Sequence, residues 1–399
     1  MTAGYARSRD VPVEERVGSV SGDGINEDWV KNKKERSPRR ARRKKMPRIT
    51  AVDVFCGVGG LTHGLAKAGI RVKLGVDIDP ACEYPYKANN RSRFLLKSVV
   101  DLTASDIDVG PPKSLRLLAG CAPCQPFSTY SQKNGASKGR WRLLREFERL
   151  VEETNPDFIT MENVPNLSKQ RVFRDFVDKL KLQQFHVSHE VVNCSEFGVP
   201  QQRQRLVLLA SKLGPIALAR PKRNRKAKTV KSAIGKLPVL RAGGICKKDP
   251  LHQASELSET NLRRVRASKP GGSWREWDDA LVAPCHKRKS GKSYPGVYGR
   301  MEWNKPAPTI TTQYFGFGSG RFGHPTQARA ISIREGAILQ SFPKRYKFVP
   351  DGKPVFRKTI GRLVGNAVPV KLAEAIGKTL IAHTEKFGRK TAKTRSART

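Results

Sequence analysis

Acidic residues are scarce in this sequence. The chain of 399 residues contains 35 aspartates and glutamates against 77 lysines and arginines, which gives a formal net charge of +42 at pH 7. A surface adapted to heat or salt usually gains charges of both signs. The excess here has one sign only. It therefore favours a polyanionic partner, with nucleic acid ahead of an anionic membrane.

Long apolar runs are also absent. No stretch approaches the roughly 18 apolar residues of a membrane-spanning helix, and the N-terminus lacks the apolar core of a signal peptide. The seven cysteines are too few for a disulfide framework in a chain of this length. We therefore expect no membrane association, reduced thiols and an intracellular location, in the cytoplasm or nucleoid if the protein is prokaryotic. We also expect a monomer.

Both ends of the chain are basic and of low complexity. Residues 1–48 are predicted to be a disordered arm, because Lys31–Arg48 is dominated by lysine and arginine and is interrupted by two prolines. Such an arm attracts phosphate, serves as a nuclear targeting signal or is simply a solvated tail. Residues 386–399 form a second basic tail.

Between the tails, strand and helix patterns alternate. The predicted strands are 50–55, 71–76, one ending near Asp101, 115–119, 158–161, 187–193 and 206–210. The predicted helices are 61–68, one starting at Pro80, 141–153 and 173–182. Repeated strand–helix units of this kind predict an α/β fold with a doubly wound, mostly parallel sheet that is covered by helices on both faces.

This alternation stops at residue 212. Residues 212–299 are basic and rich in glycine and proline, and only 251–268 shows a helical pattern there. Amphipathic helix patterns return at 332–340 and 371–384. We predict a catalytic domain in two parts, 49–211 and 326–385, with a smaller domain inserted at 212–325. The last helix is expected to pack back onto the first part.

A glycine-rich turn follows the first predicted strand and opens the first helix, at residues 55–61. Glycines let a ligand approach the backbone closely, and the helix N–H groups point at it. The pattern is not the G-x-G-x-x-G dinucleotide fingerprint, and a purely structural turn is the alternative. The second strand ends at Asp77, about 20 residues on, where a carboxylate suits ribose hydroxyls. The two features indicate an adenosyl ligand. Asp101 is placed either to reach an adenine amino group or to cap a turn.

Cys121 and Cys124 form a C-x-x-C pair just after the apolar run at 115–119. A redox pair usually opens a helix, which Pro126 argues against. A zinc site requires a second pair, and the remaining candidates are too scattered: Cys246, His252, Cys285 and His286. For Cys124 the alternatives are a buried structural thiol and a nucleophile, and the polar loop that follows favours access to a nucleophile. We interpret Cys121 as a packing neighbour.

A carboxylate, Glu162, follows the predicted strand at 158–161. In a parallel sheet that strand and the strand before Cys124 end at the same edge, where ligands bind in open α/β folds. Glu162 is therefore a candidate proton donor, and an N-cap for the next helix is the alternative. Further on, Gln201, Arg203 and Arg205 have the two-residue spacing of one side of a strand, which aims two guanidinium groups at this edge.

These motifs closely resemble those of the DNA (cytosine-5) methyltransferase family, and its prokaryotic members most of all, over residues 49–384. Six motifs stand in the family's order, which excludes chance. They are Phe55-x-Gly57-x-Gly59-Gly60, Pro123-Cys124-Gln125, Glu162-Asn163-Val164, Gln201-x-Arg203-x-Arg205, Arg334-Glu335 with Gln340-Ser341-Phe342-Pro343, and Gly365-Asn366-Ala367-Val368-Pro369.

The resemblance implies S-adenosylmethionine as the methyl donor, C5 of cytosine in duplex DNA as the acceptor, and a target recognition domain at 212–325. It implies no metal. The implied cofactor-binding residues are Phe55, Gly57, Gly59, Gly60, Asp77, Ile78, Asp101, Asn366 and Val368. The implied catalytic residues are Cys124, Glu162, Arg203 and Arg205. The implied substrate-binding residues are Pro123, Gln125, Ser128, Asn163, Val164 and Gln201.

The implied reaction passes through a covalent enzyme–DNA adduct. The Cys124 thiolate adds to C6 of the cytosine, Glu162 holds or donates the proton at N3, and Arg203 assists at the O2 carbonyl. The base must leave the stack, so the duplex is opened by base flipping, and the loop at 128–139 closes over the flipped nucleotide. Two alternatives remain open, an RNA cytosine-5 methyltransferase and a nucleic-acid-binding protein that has lost catalysis.

Overall fold

A seven-stranded sheet forms the first half of the structure. A computed structural model of the protein describes residues 48–107, 114–123, 142–221 and 226–396, with side chains up to residue 387. The strands lie in the order β3-β2-β1-β4-β5-β7-β6. Their bounds are β1 (Ile49–Val54), β2 (Arg71–Asp77), β3 (Arg93–Leu96), β4 (Leu115–Gly120), β5 (Phe158–Asn163), β6 (His186–Asn193) and β7 (Gln204–Ser211).

Five neighbouring strands of this sheet, β1 to β5, run parallel to one another. β7 is antiparallel both to β5 and to the edge strand β6. The predicted mostly parallel sheet is therefore confirmed. Because β4 and β5 are parallel neighbours, the residues that follow them emerge at the same edge of the sheet.

Helices cover both faces of the sheet. Among the described residues the helices are α1 (Gly60–Ala68), α2 (Glu83–Asn89), α3 (Arg142–Thr154), α4 (Arg171–Leu182), α5 (Val230–Ile234), α6 (Glu259–Ala267), α7 (Pro284–Lys287), α8 (Ile333–Leu339), α9 (Arg357–Asn366) and α10 (Val370–Ser396). Leu118 of β4 packs in one core with Phe147 of α3 and Phe176 of α4. Its neighbour Leu117 packs in a second core with Leu65 of α1, as the alternation of side chains along a strand requires.

The last helix, α10, packs against α1, as the sequence predicted. Two glycines allow this close approach. A Cβ atom on Gly64 would lie 2.3 Å from the Cβ of Ala373, and one on Gly377 would lie 2.6 Å from the Cβ of Ala68. α10 thereby brings the C-terminal part of the chain back to the helix that follows the glycine-rich turn.

Asp101 does not end the third strand, and that prediction was wrong. β3 ends at Leu96, and Asp101 lies at the end of a 3-10 turn, Val99–Asp101, with its side chain exposed. The Ser98 hydroxyl accepts a hydrogen bond from the Val100 amide at 3.2 Å and so starts this turn. The apolar pair at 99–100 had the composition of a strand, but the serine cap ends the extended conformation before it.

The segment predicted as one helix at 251–268 contains a strand and a helix. β9 (Asp249–Gln253) pairs with β8 (Ile245–Cys246) in a short antiparallel hairpin, and α6 begins only after Ser258. The Ser258 side chain accepts a hydrogen bond from the amide of Asn261 and caps the helix. Leu251 therefore lies in β9, whereas Leu262 lies in α6.

Regular elements are short between residues 226 and 331. One apolar core of this region includes Ile310 and Tyr314, and α8 and α9 also contribute side chains to it. A smaller cluster is formed by Trp274, Trp277 and Leu281. Residues 46–399 form one compact unit, and the boundaries of an inserted domain remain a prediction. No helix within the described ranges is long and apolar enough to cross a membrane.

Candidate active site

The turn between β1 and α1 adopts left-handed backbone conformations. Phe55, Gly57 and Gly59 have φ angles of 59°, 52° and 86°, and Gly59 is the N-cap of α1. Glycine adopts these angles without strain, whereas the positive φ of Phe55 is unfavourable and has to be held by its surroundings. A Cβ atom on Gly60 would lie 2.3 Å from the carbonyl oxygen of Val368. The glycine-rich turn and the Gly365–Pro369 motif are therefore in direct contact.

The Asp77 carboxylate at the end of β2 is bonded to this turn. It accepts hydrogen bonds from the Gly57 amide at 2.8 Å and from the Asp79 amide at 3.0 Å. Burial raises the pKa of Asp77 above its ordinary value, although these amides oppose the shift. The next residue, Ile78, has a side chain that is 69% exposed. An acidic group beside an exposed apolar one is suited to a ligand that joins a sugar to a flat apolar ring.

Asp53, in β1 beneath the turn, is a buried carboxylate that the sequence motifs did not indicate. Its Oδ2 accepts hydrogen bonds from the amide of Thr62 at 3.1 Å and from the Thr62 hydroxyl at 2.6 Å. Its Oδ1 is buried without a hydrogen-bond partner among the described residues. Burial raises the pKa of Asp53 to about 7, while the Thr62 hydrogen bonds lower it. Asp53 therefore fixes the start of α1 from below.

Tyr346 connects the turn to the C-terminal part of the chain. Its hydroxyl donates a hydrogen bond to the carbonyl of Val58 at 2.5 Å. Its ring stacks edge-on against His63, with the ring centres 5.3 Å apart. Of the two residues predicted to complete the cofactor pocket, Val368 is buried and Asn366 is exposed.

A second group of side chains lies where β4, β5 and β7 adjoin. Glu162, in β5, is only 3% exposed. The Cys121 thiol, directly after β4, donates a hydrogen bond to Glu162 Oε2 at 3.2 Å. From the other side, Arg205 Nε in β7 lies 3.0 Å from Glu162 Oε1 as an ion pair. The buried carboxylate is thus held between a thiol and a guanidinium group.

Asn163 holds the segment that leads toward Cys124. Its side-chain amide donates to the carbonyl of Ala122 at 3.0 Å, and its Oδ1 accepts from the amide of Val164 at 2.8 Å. Neither Glu162 nor Asn163 caps the following helix, because the N-cap of α4 is Gln170. Pro123 is exposed at the end of this described segment. Cys124, Gln125, Ser128 and the loop at 128–139 lie outside the described residues.

Arg203 and Gln201 are buried, but they do not point at Glu162 as the strand spacing suggested. β7 begins only at Gln204, and before it Gln201 forms an isolated bridge with Ala307, whose carbonyl also accepts a hydrogen bond from the Gln202 amide. Arg203 donates to the carbonyls of Ile310 at 2.8 Å and of Gly365 at 2.9 Å. Burial and the neighbouring Arg205 lower the pKa of Arg203 to about 9, and Glu162 opposes the shift. Only one of the two arginines, Arg205, contacts the carboxylate.

The Gln201 side chain has a similar connecting role. Its amide nitrogen donates to the carbonyl of Leu339 at 3.1 Å and to Gln340 Oε1 at 2.8 Å, and its Oε1 accepts from the amide of Ile310 at 2.7 Å. Gln201 and Arg203 together join three segments that are far apart in the sequence. They hold the sheet edge against the C-terminal motifs.

The scattered cysteines and histidines have separate environments. His252 bonds the Ser332 hydroxyl at 2.8 Å, whereas the ring of His286 stacks on Trp274 at 4.4 Å. Within the described ranges, no three His, Cys, Asp or Glu side chains are grouped closely enough to hold a metal ion.

Similarity to known proteins identifies the family to which this chain belongs. Residues 49–382 match the family model of the C-5 cytosine-specific DNA methylases. The chain belongs to this family. It is 49% identical over 334 residues to the type II methylase M.HgiDII of Herpetosiphon aurantiacus, which is 82% of this chain and 94% of that protein. It is 30% identical over 348 residues to the type II methyltransferase M1.BsuMI of Bacillus subtilis strain 168, at 82% and 78% coverage.

Solved structures agree on the fold. A prophage-encoded protein of Escherichia coli, solved as a candidate DNA modification methyltransferase, superposes with a TM-score of 0.65 at 25% identity. The match covers 84% of this chain and 99% of that one. The Schizosaccharomyces pombe Dnmt2 methyltransferase has the same fold, with a TM-score of 0.54 at 18% identity and with 84% and 99% coverage. The protein is therefore a DNA (cytosine-5) methyltransferase with an α/β methyltransferase fold.

The site of the methyltransferase includes contacts from three residues that the sequence did not assign to it. Cys121 was interpreted as a packing neighbour, but its thiol is bonded to Glu162. Asp53 and Tyr346 both hold the glycine-rich turn. Asp53 lies two residues before Phe55, the first residue of the glycine-rich motif, so its position was a usable signal. The partner of Tyr346 is 288 residues away, and no local pattern pointed to it.

Proposed function

We propose that the methyltransferase uses S-adenosylmethionine and that the donor binds along the ends of β1 and β2. Phe55, Gly57, Gly59 and Gly60 would pass close to its methionine part. Asp77 would accept hydrogen bonds from the ribose, and Ile78 would lie against the adenine. Asn366 and Val368 would complete the pocket, and Asp101, exposed in the 3-10 turn that follows β3, would bond the adenine edge. The donor supplies an electrophilic methyl group.

The free backbone space at the glycine-rich turn supports this assignment. Gly57 has no atom within 4 Å of an added Cβ, whereas Gly59 and Gly60 have no room for one. The turn is therefore open on one side and closely packed on the other. This arrangement suits a ligand that lies directly on the backbone, next to the start of α1.

The residues around Glu162 would make the cytosine ring nucleophilic. We infer that the Cys124 thiolate forms a bond to C6 while Glu162 holds the proton at N3, so that electrons move toward C5. After methylation of C5, its proton is lost and the bond to Cys124 breaks, which restores the ring. Pro123, Gln125, Ser128, Asn163 and Val164 would line the pocket for the flipped base.

Arg205 is better placed than Arg203 to polarise the O2 carbonyl of the base. The guanidinium group of Arg205 already lies beside Glu162, whereas both terminal nitrogens of Arg203 donate to backbone carbonyls. We therefore assign Arg203 and Gln201 to holding the pocket and Arg205 to the substrate. This changes the assignment that the sequence suggested for Arg203.

Further parts of the proposal concern the DNA. Target recognition is assigned to residues 212–325, and the positive charge of the chain would neutralise phosphates along the duplex. The cytosine would be flipped out of the helix to reach the Glu162 edge. We expect the protein to act as a monomer.

The observation that carries this proposal is the buried Glu162 carboxylate at the edge where β4 leads to Cys124. The test is transfer of a labelled methyl group from S-adenosylmethionine to duplex DNA by the full chain. We expect Cys124→Ala to abolish transfer and Glu162→Gln to lower it by about 100-fold or more, since a positioned proton donor contributes on that scale. Glu152→Gln, at an exposed glutamate of α3, should leave the rate unchanged.

A covalent trap tests the nucleophile directly. In duplex DNA that contains 5-fluorocytosine, C5 carries fluorine in place of the proton that must be lost, and fluorine cannot leave in that way. The covalent adduct should therefore persist on the wild-type protein and should not form on Cys124→Ala. Full methyl transfer by Cys124→Ala would contradict the nucleophile. Transfer to transfer RNA with none to DNA would contradict the substrate, and would favour the RNA alternative.

A further inference from the structure

The Glu162 carboxylate has two oxygens in different surroundings. Oε2 accepts the hydrogen bond from the Cys121 thiol, at 3.2 Å. Oε1 lies 3.0 Å from Arg205 Nε but accepts no hydrogen bond of good geometry from the described residues. The thiol therefore occupies one oxygen and leaves the other available to a ligand.

We propose that Cys121 is a positioning residue for Glu162, one that presents Oε1 to the substrate. The proposal rests on the proposed function of Glu162 as the group that holds the proton at N3 of the cytosine. A glutamate side chain has three rotatable bonds, and its terminal torsion is broad. A donor on Oε2 from β4 and a cation beside Oε1 from β7 restrict that torsion, because the three strands adjoin in the sheet.

The thiol is suited to this position by its reach and its weakness as a donor. Its hydrogen bonds are longer than those of a hydroxyl, since an oxygen donor prefers about 2.7 Å. A weak donor orients the carboxylate without tying up its charge as strongly as a second cation would. Cys121 is partly exposed, and buried thiols in the same core, such as Cys194, have no contact of this kind among the described residues.

A set of substitutions at residue 121 separates the hydrogen bond from packing. Cys121→Ala removes the donor and the volume, Cys121→Val removes the donor but keeps the volume, and Cys121→Ser keeps a donor. We expect the alanine and valine variants to lower the single-turnover rate of methyl transfer about five- to tenfold, the scale of one hydrogen bond. The serine variant should recover to within about threefold of wild type. The KM values for DNA and for the methyl donor should stay within about twofold.

A double-mutant cycle tests whether Cys121 acts through Glu162. In a Glu162→Gln background, Cys121→Ala should change the remaining single-turnover rate by less than about twofold, because the group that it orients is already lost. Urea unfolding of each variant checks that the fold is intact.

Two results would overturn the inference while leaving the proposed function in place. One is equal loss from Cys121→Ala in both backgrounds, which would mean that Cys121 does not act through Glu162. The other is full activity of Cys121→Val, which would mean that only its volume matters. A wild-type protein that transfers no methyl group to DNA would instead contradict the proposed function itself.

Discussion

Two regions of the molecule achieve stability in different ways. In the sheet region, residues 48–221, apolar side chains alternate along the strands and pack against helices on both faces. In the loop-rich region, residues 226–331, regular elements are short, and buried polar side chains bond distant segments of the chain alongside its apolar clusters. Arg300, for example, donates to the carbonyls of Val265, His324 and Gln327.

The two regions also differ in what a sequence can reveal. A short apolar run bounded by turn residues is a local signal, and such runs located strands of the sheet region. A buried arginine that bonds distant carbonyls leaves no local signal, because its partners are chosen by the fold. The difference teaches that short-range patterns report apolar cores well and polar ones poorly.

The largest loss of stability is expected from replacing the buried Arg329. It donates two hydrogen bonds to Glu335, at 2.7 and 2.8 Å, and it is fully buried. Burial alone would raise the pKa of Glu335, but the bonds and charge of Arg329 outweigh burial and lower it. Arg329→Met leaves a buried carboxylate without its cation, and should lower the free energy of unfolding by about 3–5 kcal/mol.

Urea unfolding measures this effect, with two controls. Arg288→Met, at an exposed arginine of the same region, should stay within about 0.5 kcal/mol of wild type. Adding Glu335→Gln to Arg329→Met should recover part of the loss, because the unpaired charge is removed. If the single substitution costs no more than the exposed control, polar groups do not hold this region.

The sequence predicted the sheet region almost completely. Six of its seven strands and the helix after the glycine-rich turn were located, whereas the third strand ends at Leu96 and not near Asp101. Glu162 was placed at the correct edge because the sheet is parallel there. Asp101 and the 251–268 segment were misassigned, since single serine caps at Ser98 and Ser258 decide where those elements begin. The antiparallel direction of β7 was not predicted, because a strand's pattern reads the same in both directions.

The sequence motifs predicted which residues form the site, and the contacts in the structure changed the roles of two of them. The sequence grouped Arg203 with Arg205, yet the carbonyls that bind Arg203 are 107 and 162 residues away. No spacing rule reaches that far. In the same way, the thiol of Cys121 was visible in the sequence, but its bond to Glu162 depends on two strands becoming neighbours.

Asp53 offers a second test, at a buried carboxylate of the sheet region. Its pKa is raised to about 7, chiefly by burial, so the folded protein keeps a proton that the unfolded chain loses. Stability from this group is fully present below the unfolded pKa and is lost as pH rises toward 7. Between pH 5 and 7 the wild type should lose about 2 kcal/mol relative to Asp53→Asn.

The measurement is urea unfolding of both proteins at each pH. The asparagine keeps an oxygen to accept the Thr62 hydrogen bonds, and it cannot ionise. Asp106→Asn is the matched control, since that carboxyl has a pKa lowered by Lys97 and titrates below this range. Parallel pH dependence of wild type and Asp53→Asn would show that Asp53 is already ionised at pH 5.

The smallest effect on stability is expected from an ion pair at the surface. Arg362 of α9 lies 2.6 Å from the Asp79 carboxylate just after β2, and the two side chains are 46% and 23% exposed. Because exposed ion pairs contribute at most about 1 kcal/mol, Arg362→Gln should barely change the free energy of unfolding. The Asp79 amide also donates a hydrogen bond to the Asp77 carboxylate, so a less firmly held Asp79 should disturb the predicted ribose site.

We therefore expect Arg362→Gln to raise the KM for S-adenosylmethionine by about two- to fivefold, with kcat nearly unchanged, since an interaction of about 1 kcal/mol or less is lost. The effect should shrink at high salt, where exposed charges are screened. Lys87→Gln breaks a comparable exposed pair with Glu83 on α2 and should leave this KM unaltered. An equal rise in both variants would indicate a general effect of charge. A large loss of stability in Arg362→Gln alone would instead show that this exposed ion pair stabilises the fold as the buried pair of Arg329 and Glu335 does. The expected difference between exposed and buried charges would then be wrong for α9.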